Sequence, residues 1–544
     1  MRFYGFRVSA WPVGQEARND KRIVRSIHNS PYICHKFFRL SLTSLLNRFE
    51  QSPQVRKLQD AISLSQTIPL KGLNGSALSF VLSQTFKALE KPFLVLLNDK
   101  EEAAYFLNDL EQLVGANEVL FYPGSYRRPY QIEETDNANV LLRAEVLNRI
   151  NSRKKPAIIV TYPDALFEKV VTRKELDKNT LKIKLDDTLS LDFLNEVLFE
   201  YQFKRVDFVT EPGEFSVRGG IVDVFSFSHD VPYRIEFFGD EVDSIRTFDV
   251  ETQLSTDKVK RITIIPNVEN KFLQETRESF LKYIAPQTVI FAKNLDLTYG
   301  RIDAFFEKAE DSFAKLESEL KHSKPQELFV DSNLLKTQLE TFALVELGAS
   351  TTLSLQNKES VTERSRSEIT FNTKPQPSFN KKFDLLQEDL QENHQNGFTN
   401  YIFCSSEQQA KRLHDIFDAV GEQNQNGLDQ SVRYQTLVFP LYQGFLDEDL
   451  KVACYTDHQI FERYHKFQLK NGYAKKQAIT LKELTKLEVG DYVTHIDHGI
   501  GKFGGLQKID VEGKKQEAIK LFYGDRDILY VSIHSLHKIS KYNG

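Results

Sequence analysis

Apolar runs of strand length alternate with amphipathic stretches of helix length from Thr67 to Tyr162, and this alternation constrains the fold most strongly. The runs FLVLL (Phe93–Leu97) and AIIVTY (Ala157–Tyr162) are almost uninterrupted, as in strands buried on both faces of a sheet. Between them, Asn98-Asp99 is a helix cap before the pattern KEEAAYFLNDLEQL. Strands that alternate with helices in this way predict a parallel α/β sheet.

Other stretches differ from this region, so we predict an α/β multidomain protein. Residues 42–62 show the period of one amphipathic helix. Short alternating strands with glycine turns from Glu214 to Phe248 predict an antiparallel sheet. A second strand–helix pattern spans Phe379–Phe461, between a Ser/Thr/Gln-rich stretch and a basic one that we interpret as linkers. The 544 residues allow three to five domains at roughly 150 residues each.

Charge and cysteine content exclude several classes of protein. The 71 Lys+Arg and 76 Asp+Glu residues give a net charge of −5, which rules out a generally basic DNA-coating protein. No apolar run reaches about 18 residues, so we predict no membrane segment. Cys34, Cys404 and Cys454 form neither a CxxC pair nor a disulfide framework, which indicates the cytoplasm. The basic residues 1–40 lack the apolar core of a secretory signal, and we assign them no function.

The segment GLNGSALS lies between a predicted strand and helix, where a nucleotide-binding protein carries its phosphate loop. A working loop reads G-x-x-x-x-G-K-[ST], because its glycines let backbone amides surround the phosphates and its lysine neutralises them. Gly72, Gly75 and Ser79 are present, but Ala77 replaces the second motif glycine and Leu78 replaces the lysine. We therefore predict a degenerate, non-functional loop; the alternative is a residual nucleotide site.

No other motif indicates catalysis, a metal or a cofactor. In HIDH (His495–His498), two imidazoles on a strand would point to opposite faces, so we predict no joint metal site. Patterns of the GxSxG, HExxH or Cys–His nucleophile type are absent from the sequence. We predict that this chain has no catalytic centre of its own.

The segment Glu211–Asp249 predicts a β-hairpin whose two faces differ in chemistry. Gly239-Asp240 separates two alternating runs and is typical of a tight turn. In the first run, the residues of one face are apolar, whereas those of the other are mixed: Tyr233, Ile235 and Phe237 against Arg234, Glu236 and Phe238. Arg218 alternates with Phe215 and Val217, so it also points outward. Arginines beside an aromatic residue are typical of a protein-binding surface; the alternative is a solvated sheet face.

The same segment, EPGEFSVRGGIVDVF followed by YRIEFFGDEVDSIRTFD, resembles the module shared by the repair protein UvrB and the Mfd family of transcription-repair coupling factors. The resemblance extends upstream through FYPGSYRRPYQIEETDNANVLLRAEVLNRI. It implies that the module binds UvrA and that Arg218, Arg234 and Phe238 make the contact. UvrB-like proteins keep the glycine and lysine of the phosphate loop. Their loss here favours the Mfd family.

The last segment, residues 487–544, contains about five short strands and predicts a small SH3-like barrel. The runs GDYVTHIDHGIGKF, DILYV and ISKYNG resemble the RNA polymerase-interacting, CarD-like domain of the Mfd family. This resemblance implies contact with the polymerase β subunit through Ile509; the alternative is that Ile509 fills the barrel. Strict alternation over Lys502–Asp510 predicts that Phe503, Gly505, Gln507 and Ile509 share one face.

Together these resemblances favour part of a transcription-repair coupling factor that binds RNA polymerase and recruits UvrA. They imply that the double-stranded DNA translocase, with its ATP and Mg, lies outside this sequence. A UvrB-like nucleotide-dependent helicase subunit and a CarD-like transcription regulator remain the alternatives. The predicted segments are a basic N-terminal segment (1–40), a UvrB-like α/β lobe with the degenerate loop (41–179), a UvrA-binding module (180–266), the second part of the lobe (267–349), a linker (350–378), a small α/β domain (379–461), a basic linker (462–480) and the CarD-like barrel (481–544).

Overall fold

The computed structural model describes residues 42–64, 67–125, 137–152, 155–227, 229, 231–250, 252–267, 276–315, 323–348, 368–423, 434–463, 487–495, 498–511, 514–524, 527–532 and 539–541. The chain divides into two compact units. Of the described residues, the first unit contains those within 1–58, 72–85 and 371–465, and the second contains those within 59–71, 86–370 and 466–544.

The strands are β1 Thr67–Lys71, β2 Phe93–Leu96, β3 Val119–Tyr122, β4 Ile158–Thr161, β5 Val170–Val171, β6 Leu181–Lys184, β7 Lys204–Arg205, β8 Glu214–Arg218, β9 Ile221–Val224, β10 Tyr233–Phe238, β11 Glu241–Phe248, β12 Ser255–Lys258, β13 Arg261–Ile264, β14 Arg277–Glu278, β15 Val289–Lys293, β16 Ala343–Leu347, β17 Ile369–Thr370, β18 Thr373–Pro375, β19 Thr399–Cys404, β20 Gln435–Val438, β21 Phe445–Asp447, β22 Val452–Thr456, β23 Tyr492–His495, β24 Gly499–Val511, β25 Lys514–Tyr523, β26 Asp527–Ser532 and β27 Ile539–Lys541. The helices are residues 42–50, Pro53–Leu64, Ala77–Leu89, Lys100–Val114, Asn137–Ser152, Pro163–Phe167, Arg173–Lys178, Leu191–Glu200, Phe280–Tyr283, Leu295–Ala314, Pro325–Leu328, Ser332–Leu339, Phe383–Gln395, Glu407–Gln423 and Asp457–Ile460.

The second unit contains the parallel sheet that the alternation predicted. Its strand order is β17-β1-β16-β15-β2-β4-β3, and every pairing is parallel. The strands β2, β3 and β4 are buried at every position, which explains their unbroken apolar sequence. Asp99 caps the helix Lys100–Val114 by accepting from the Glu102 amide at 2.9 Å.

The single helix predicted for residues 42–62 is wrong, because the chain forms two helices there. The first helix ends at residue 50, and the second begins at Pro53. Proline has no amide hydrogen to donate to the preceding turn, so it starts a helix more readily than it continues one. Ser52 Oγ accepts from the Val55 amide at 3.5 Å at this new start.

A six-stranded sheet in the second unit has the order β12-β11-β10-β9-β8-β7 and is antiparallel except between β7 and β8. Phe238 pairs with Glu241, so Gly239 and Asp240 form the predicted two-residue turn, with Gly239 at φ +63°. The helix Leu191–Glu200 packs against one face of this sheet: the ring of Phe199 lies 5.2 Å from that of Phe215 in β8, and Leu194 and Leu198 belong to the same core as Phe215. We call this side the inner face and the opposite side the outer face.

The first unit contains a mixed five-stranded sheet of order β18-β21-β22-β19-β20. Four phenylalanines pack together in this unit: Phe49, Phe80, Phe403 and Phe445. Strand β18 and its neighbour in sequence, β17, fall within the predicted linker 350–378, so the described end of that segment is strand rather than linker. Ile369 and Phe371, at this end of the segment, are buried.

The C-terminal residues form a five-stranded antiparallel sheet of order β26-β25-β24-β23-β27. Its core consists of Val493, Phe503, Ile519, Leu521, Val531 and Ile539. The predicted basic N-terminal segment, and the basic linker except for residues 462 and 463, lie outside the described residues. No helix of the described residues is long and apolar enough to cross a membrane.

Candidate protein-binding faces and the degenerate loop

The outer face of the six-stranded sheet carries the residues that the hairpin pattern assigned to it. Tyr233 and Ile235 of β10 are buried on the inner face, as predicted. Arg234 and Glu236 lie between them on the other side, and Phe238 at the strand end is 80% exposed. Phe238 follows Arg234 by four residues, or about 13 Å along an extended strand.

A buried carboxylate joins the two arginines, and sequence reasoning missed it. Asp223 of β9 is fully buried and accepts two hydrogen bonds from Arg234, at 2.7 Å (Nε to Oδ1) and 2.9 Å (Nη2 to Oδ2). Arg218 Nη2 donates to the same Oδ2. A buried carboxylate is tolerated when it is paired and hydrogen-bonded, as it is here. The available signal was the lone acid in the apolar strand IVDV.

Arg234 has contacts on several sides, whereas the side chain of Arg218 is more exposed to solvent. Arg234 Nη1 donates to the Gln253 carbonyl at 3.2 Å and to Ser255 Oγ at 3.4 Å, and its guanidinium lies 4.9 Å from the Phe248 ring centroid. The hydrogen bonding to Asp223 raises the pKa of Arg234 above its ordinary value, so the group stays charged. The side chain of Arg234 is 16% exposed and that of Arg218 is 44% exposed. Arg234 therefore stabilises the sheet, a role that strand alternation did not predict.

The degenerate loop is filled by other parts of the first unit. Gly72 and Gly75 have φ values of +78° and +53°. The Asn74 amide donates to Thr373 Oγ1 at 2.7 Å, and the Ser76 amide donates to the Gln443 carbonyl at 3.1 Å. Protein oxygens thus accept the hydrogen bonds of these amides. In a working phosphate loop, such amides donate to the ligand instead.

The side chains at the end of the loop also lack phosphate chemistry. Ala77 and Ser79 are completely buried in the helix Ala77–Leu89, and Leu78 is partly buried. A Cβ added at Gly75 would meet the Gly444 carbonyl oxygen at 2.6 Å, so the chain from Gln443 to Gly444 closes the loop from outside. Protein groups therefore enclose the turn at Gly75.

In the C-terminal sheet, a bulge changes the predicted faces of β24. Phe503 pairs with Leu521 and Leu506 pairs with Ile519, so Gly504-Gly505 form an irregularity with Gly505 at φ +90°. Strict alternation across Lys502–Asp510 is therefore wrong at this point, because glycine permits the positive φ of the bulge. The backbone of Ile509 pairs with Gln516, and its side chain lies outside the described residues.

The two histidines of HIDH come together, contrary to the prediction that they point to opposite faces. Their ring centroids are 4.8 Å apart; β23 ends at His495 and His498 lies in a turn, so the alternation of a strand does not extend to His498. His495 is buried and His498 is exposed. Among the described residues, no group of three or more His, Cys, Asp or Glu side chains could hold a metal ion.

Comparisons with known proteins give two domain matches and a set of long relatives. The family model described as the UvrB interaction domain matches residues 181–269, and the one described as the CarD-like/TRCF RID domain matches residues 487–543. The chain is 25% identical to the transcription-repair-coupling factor of Bacillus subtilis over 536 residues, covering 87% of this chain and 45% of the relative. It is 25% identical to that of Staphylococcus epidermidis, covering 91% and 46%.

The transcription-repair-coupling factor of Staphylococcus aureus is 24% identical, with coverage of 92% of this chain and 47% of the relative. This chain thus spans about half the length of the curated relatives it matches. The resemblance to transcription-repair coupling factors inferred from the sequence is confirmed by these matches.

Proposed function

We propose that this chain, as a relative of the transcription-repair coupling factors, links stalled RNA polymerase to nucleotide excision repair. It would bind the polymerase β subunit through residues 481–544 and recruit UvrA through the outer face. One observation carries this proposal: a UvrB interaction domain and a CarD-like/TRCF RID domain occur in the same chain. In this role the chain acts as an adaptor with two protein-binding surfaces.

Bridging is the direct test of the adaptor role. Immobilised RNA polymerase should retain UvrA only when this chain is added, because UvrA and the polymerase would bind different domains of it. The control is the Phe238→Ala variant, which should bind the polymerase as the wild type does but retain much less UvrA. Retention of UvrA without the chain, or equal retention with the variant, would contradict the proposal.

Three residues are proposed to contact UvrA: Arg218, Arg234 and Phe238. Their support is their shared outer face, the charge of the two guanidiniums and the exposure of the Phe238 ring. Arg and aromatic side chains dominate the affinity of many protein interfaces. The structure favours Arg218 and Phe238 as direct contacts and Arg234 as a residue that also supports the sheet.

We expect any dissociation constant of this chain for ATP to be above roughly 1 mM, which corresponds to a binding free energy weaker than about 4 kcal/mol. The reason is Leu78 in place of a lysine, together with the Asn74 and Ser76 amides that are already hydrogen-bonded. Calorimetry on the chain and on an Ala77→Gly/Leu78→Lys variant measures this directly. Because the loop is filled, the variant should also fail to bind. Micromolar binding by either protein would favour the UvrB-like helicase alternative.

Ile509 is proposed to contact the polymerase β subunit from β24 of an SH3-like barrel. We expect Ile509→Arg to abolish polymerase binding and to leave UvrA binding unchanged, because a charge in an apolar contact loses both packing and solvation. Binding is measured with the full chain by surface plasmon resonance. The matched control is Ile500→Arg, an exposed isoleucine up to about 30 Å away along the same strand.

Two outcomes would reject the assignment of Ile509. If Ile509→Arg loses the NMR amide dispersion of the C-terminal sheet, Ile509 is a core residue. If Ile500→Arg loses polymerase binding to the same extent, the contact is not specific to Ile509. A CarD-like regulator without a repair role would bind the polymerase but not UvrA, so the UvrA titrations separate this alternative.

A further inference from the structure

Two loops beside the arginines of the outer face each present an exposed apolar side chain. The first loop carries Phe208, which is 47% exposed. It is fixed to β8 by the Val206 amide, which donates to the Phe215 carbonyl at 2.9 Å, and by Ser216 Oγ, which donates to the Asp207 carbonyl at 3.1 Å. The second is the turn that carries Leu254, which is 68% exposed.

A hydrogen bond joins the two loops to each other. Gln253 Nε2 donates to the Val209 carbonyl at 3.0 Å. Beneath this bond, Val209, Phe225 and Phe248 form a small buried cluster that is separate from the main core. The two exposed side chains are therefore held by packed loops. A preorganised surface of this kind loses little conformational freedom when a partner binds.

Phe208 lies next to Arg218, and Leu254 lies next to a residue that accepts a hydrogen bond from Arg234. The Arg218 guanidinium carbon lies 5.5 Å from the Phe208 ring centroid. Leu254 directly follows Gln253, whose carbonyl accepts from Arg234. Among the hydrogen bonds of the described residues, Arg218 uses only Nη2, on Asp223. Its remaining N–H groups can therefore donate to a carboxylate of a partner in the planar geometry that guanidinium favours.

The exposed apolar residues of the opposite side provide a contrast. Phe193 is 48% exposed, nearly the same as Phe208, but it belongs to the helix Leu191–Glu200 on the inner face. Single exposed apolar side chains are common on protein surfaces. Phe208 differs from Phe193 because it is adjacent to a charged group that strand pairing and a buried carboxylate hold in place.

We infer that Phe208 and Leu254 belong to the same docking surface as Arg218, and that this surface receives a UvrA segment in which a carboxylate is flanked by apolar side chains. The inference rests on the proposed UvrA-binding function and extends it by two contact residues and by the chemistry of the partner segment. The apolar pair would pack against the apolar side chains of the partner segment and exclude water around the charged contact.

Titration of the full chain with UvrA tests the inference. Phe208→Ala should weaken binding about tenfold, and Leu254→Ala should weaken it by at least about threefold, as expected for interface side chains around an anchor. Phe193→Ala is the control matched for residue type and exposure, and it should bind as the wild type does. Melting temperatures identify any variant that fails to fold. If Phe208→Ala does not fold, Leu254→Ala decides by the same criterion.

Salt dependence separates a contact made by Phe208 from an effect through Arg218. Arg218→Ala should reduce the salt dependence of the affinity, because it removes the charge that a carboxylate meets. Phe208→Ala should weaken binding and keep the salt dependence of the wild type. If Phe208→Ala changes the salt dependence as much as Arg218→Ala does, Phe208 acts only by holding Arg218, and the contact is refuted.

The failure of the inference can be told apart from the failure of the proposed function. If the wild-type chain does not bind UvrA at all, the proposed function falls and the inference falls with it. If the wild type binds and Phe238→Ala is weakened, while Phe208→Ala and Leu254→Ala bind normally, the inference alone is overturned.

Discussion

Replacing Arg234 with alanine is expected to lower the free energy of unfolding of the β8–β10 region by about 3 kcal/mol. Asp223 is fully buried, and Arg234 provides two of its three hydrogen bonds from arginine. Removing one partner of a buried ion pair costs about 3–5 kcal/mol, because the remaining charge is left without compensation. We place the effect at the lower end because Arg218 remains. Hydrogen exchange of the amides of these strands measures the loss.

Arg218→Ala is the matched control for this prediction. It removes the same chemical group from the same carboxylate, but the more exposed Arg218 contributes a single hydrogen bond, so we expect about 1 kcal/mol or less. A further test adds Asp223→Asn to the Arg234→Ala variant. The double variant should be more stable than Arg234→Ala alone, since it buries no uncompensated charge. Equal protection of strands β8–β10 in Arg234→Ala and Arg218→Ala would refute a structural role for Arg234.

Replacing Phe238 with alanine is expected to weaken UvrA binding by about 2 kcal/mol, roughly thirtyfold, without a measurable change in melting temperature. The ring is 80% exposed, so it contributes little to the stability of the free chain. It lies at the end of β10, next to the two-residue turn, where a partner can approach it. Calorimetric titration with UvrA gives the affinity, and a thermal melt gives the stability.

A leucine of similar exposure supplies the control for Phe238. Leu64 is 86% exposed at the end of the helix Pro53–Leu64, away from the six-stranded sheet in sequence. Leu64→Ala should bind UvrA with the affinity of the wild type, because it removes apolar surface that belongs to no proposed contact. Unchanged binding by Phe238→Ala, or an equal loss in Leu64→Ala, would show that Phe238 is not an anchor.

Hydrophobic pattern was sufficient to predict the elements whose environment is uniform. β2 and β4 are buried at every position, and their unbroken apolar sequence predicted strands of this kind. The faces of β10 were equally clear, because one side of that strand packs on a core. Such predictions succeed when the burial of each position alone determines whether its residue is apolar or polar.

The pattern failed where a single residue or a distant segment decided the outcome. Pro53 divides a helix whose amphipathic period continues across the break. Gly504-Gly505 add a bulge that shifts the faces of β24, which alternation has no means of detecting. Asp223 was not recognised as the common partner of the arginines, because pairing between β9 and β10 had to be known first. The filling of the loop at Gly75 depends on residues more than 360 positions away.

That separation also has a consequence for the order in which the chain is made. Ser76 and Gln443, whose hydrogen bonds close the loop, are 367 residues apart. A ribosome that adds about 5–20 residues per second needs roughly 20–70 s to synthesise the chain between them. During that interval the buried helix beginning at Ala77 and the phenylalanines around Phe80 have no partner from β19 or β21. The first unit can therefore complete its folding only after residues 399–447 have been synthesised, and until then its early segment exposes apolar surface that a chaperone can protect.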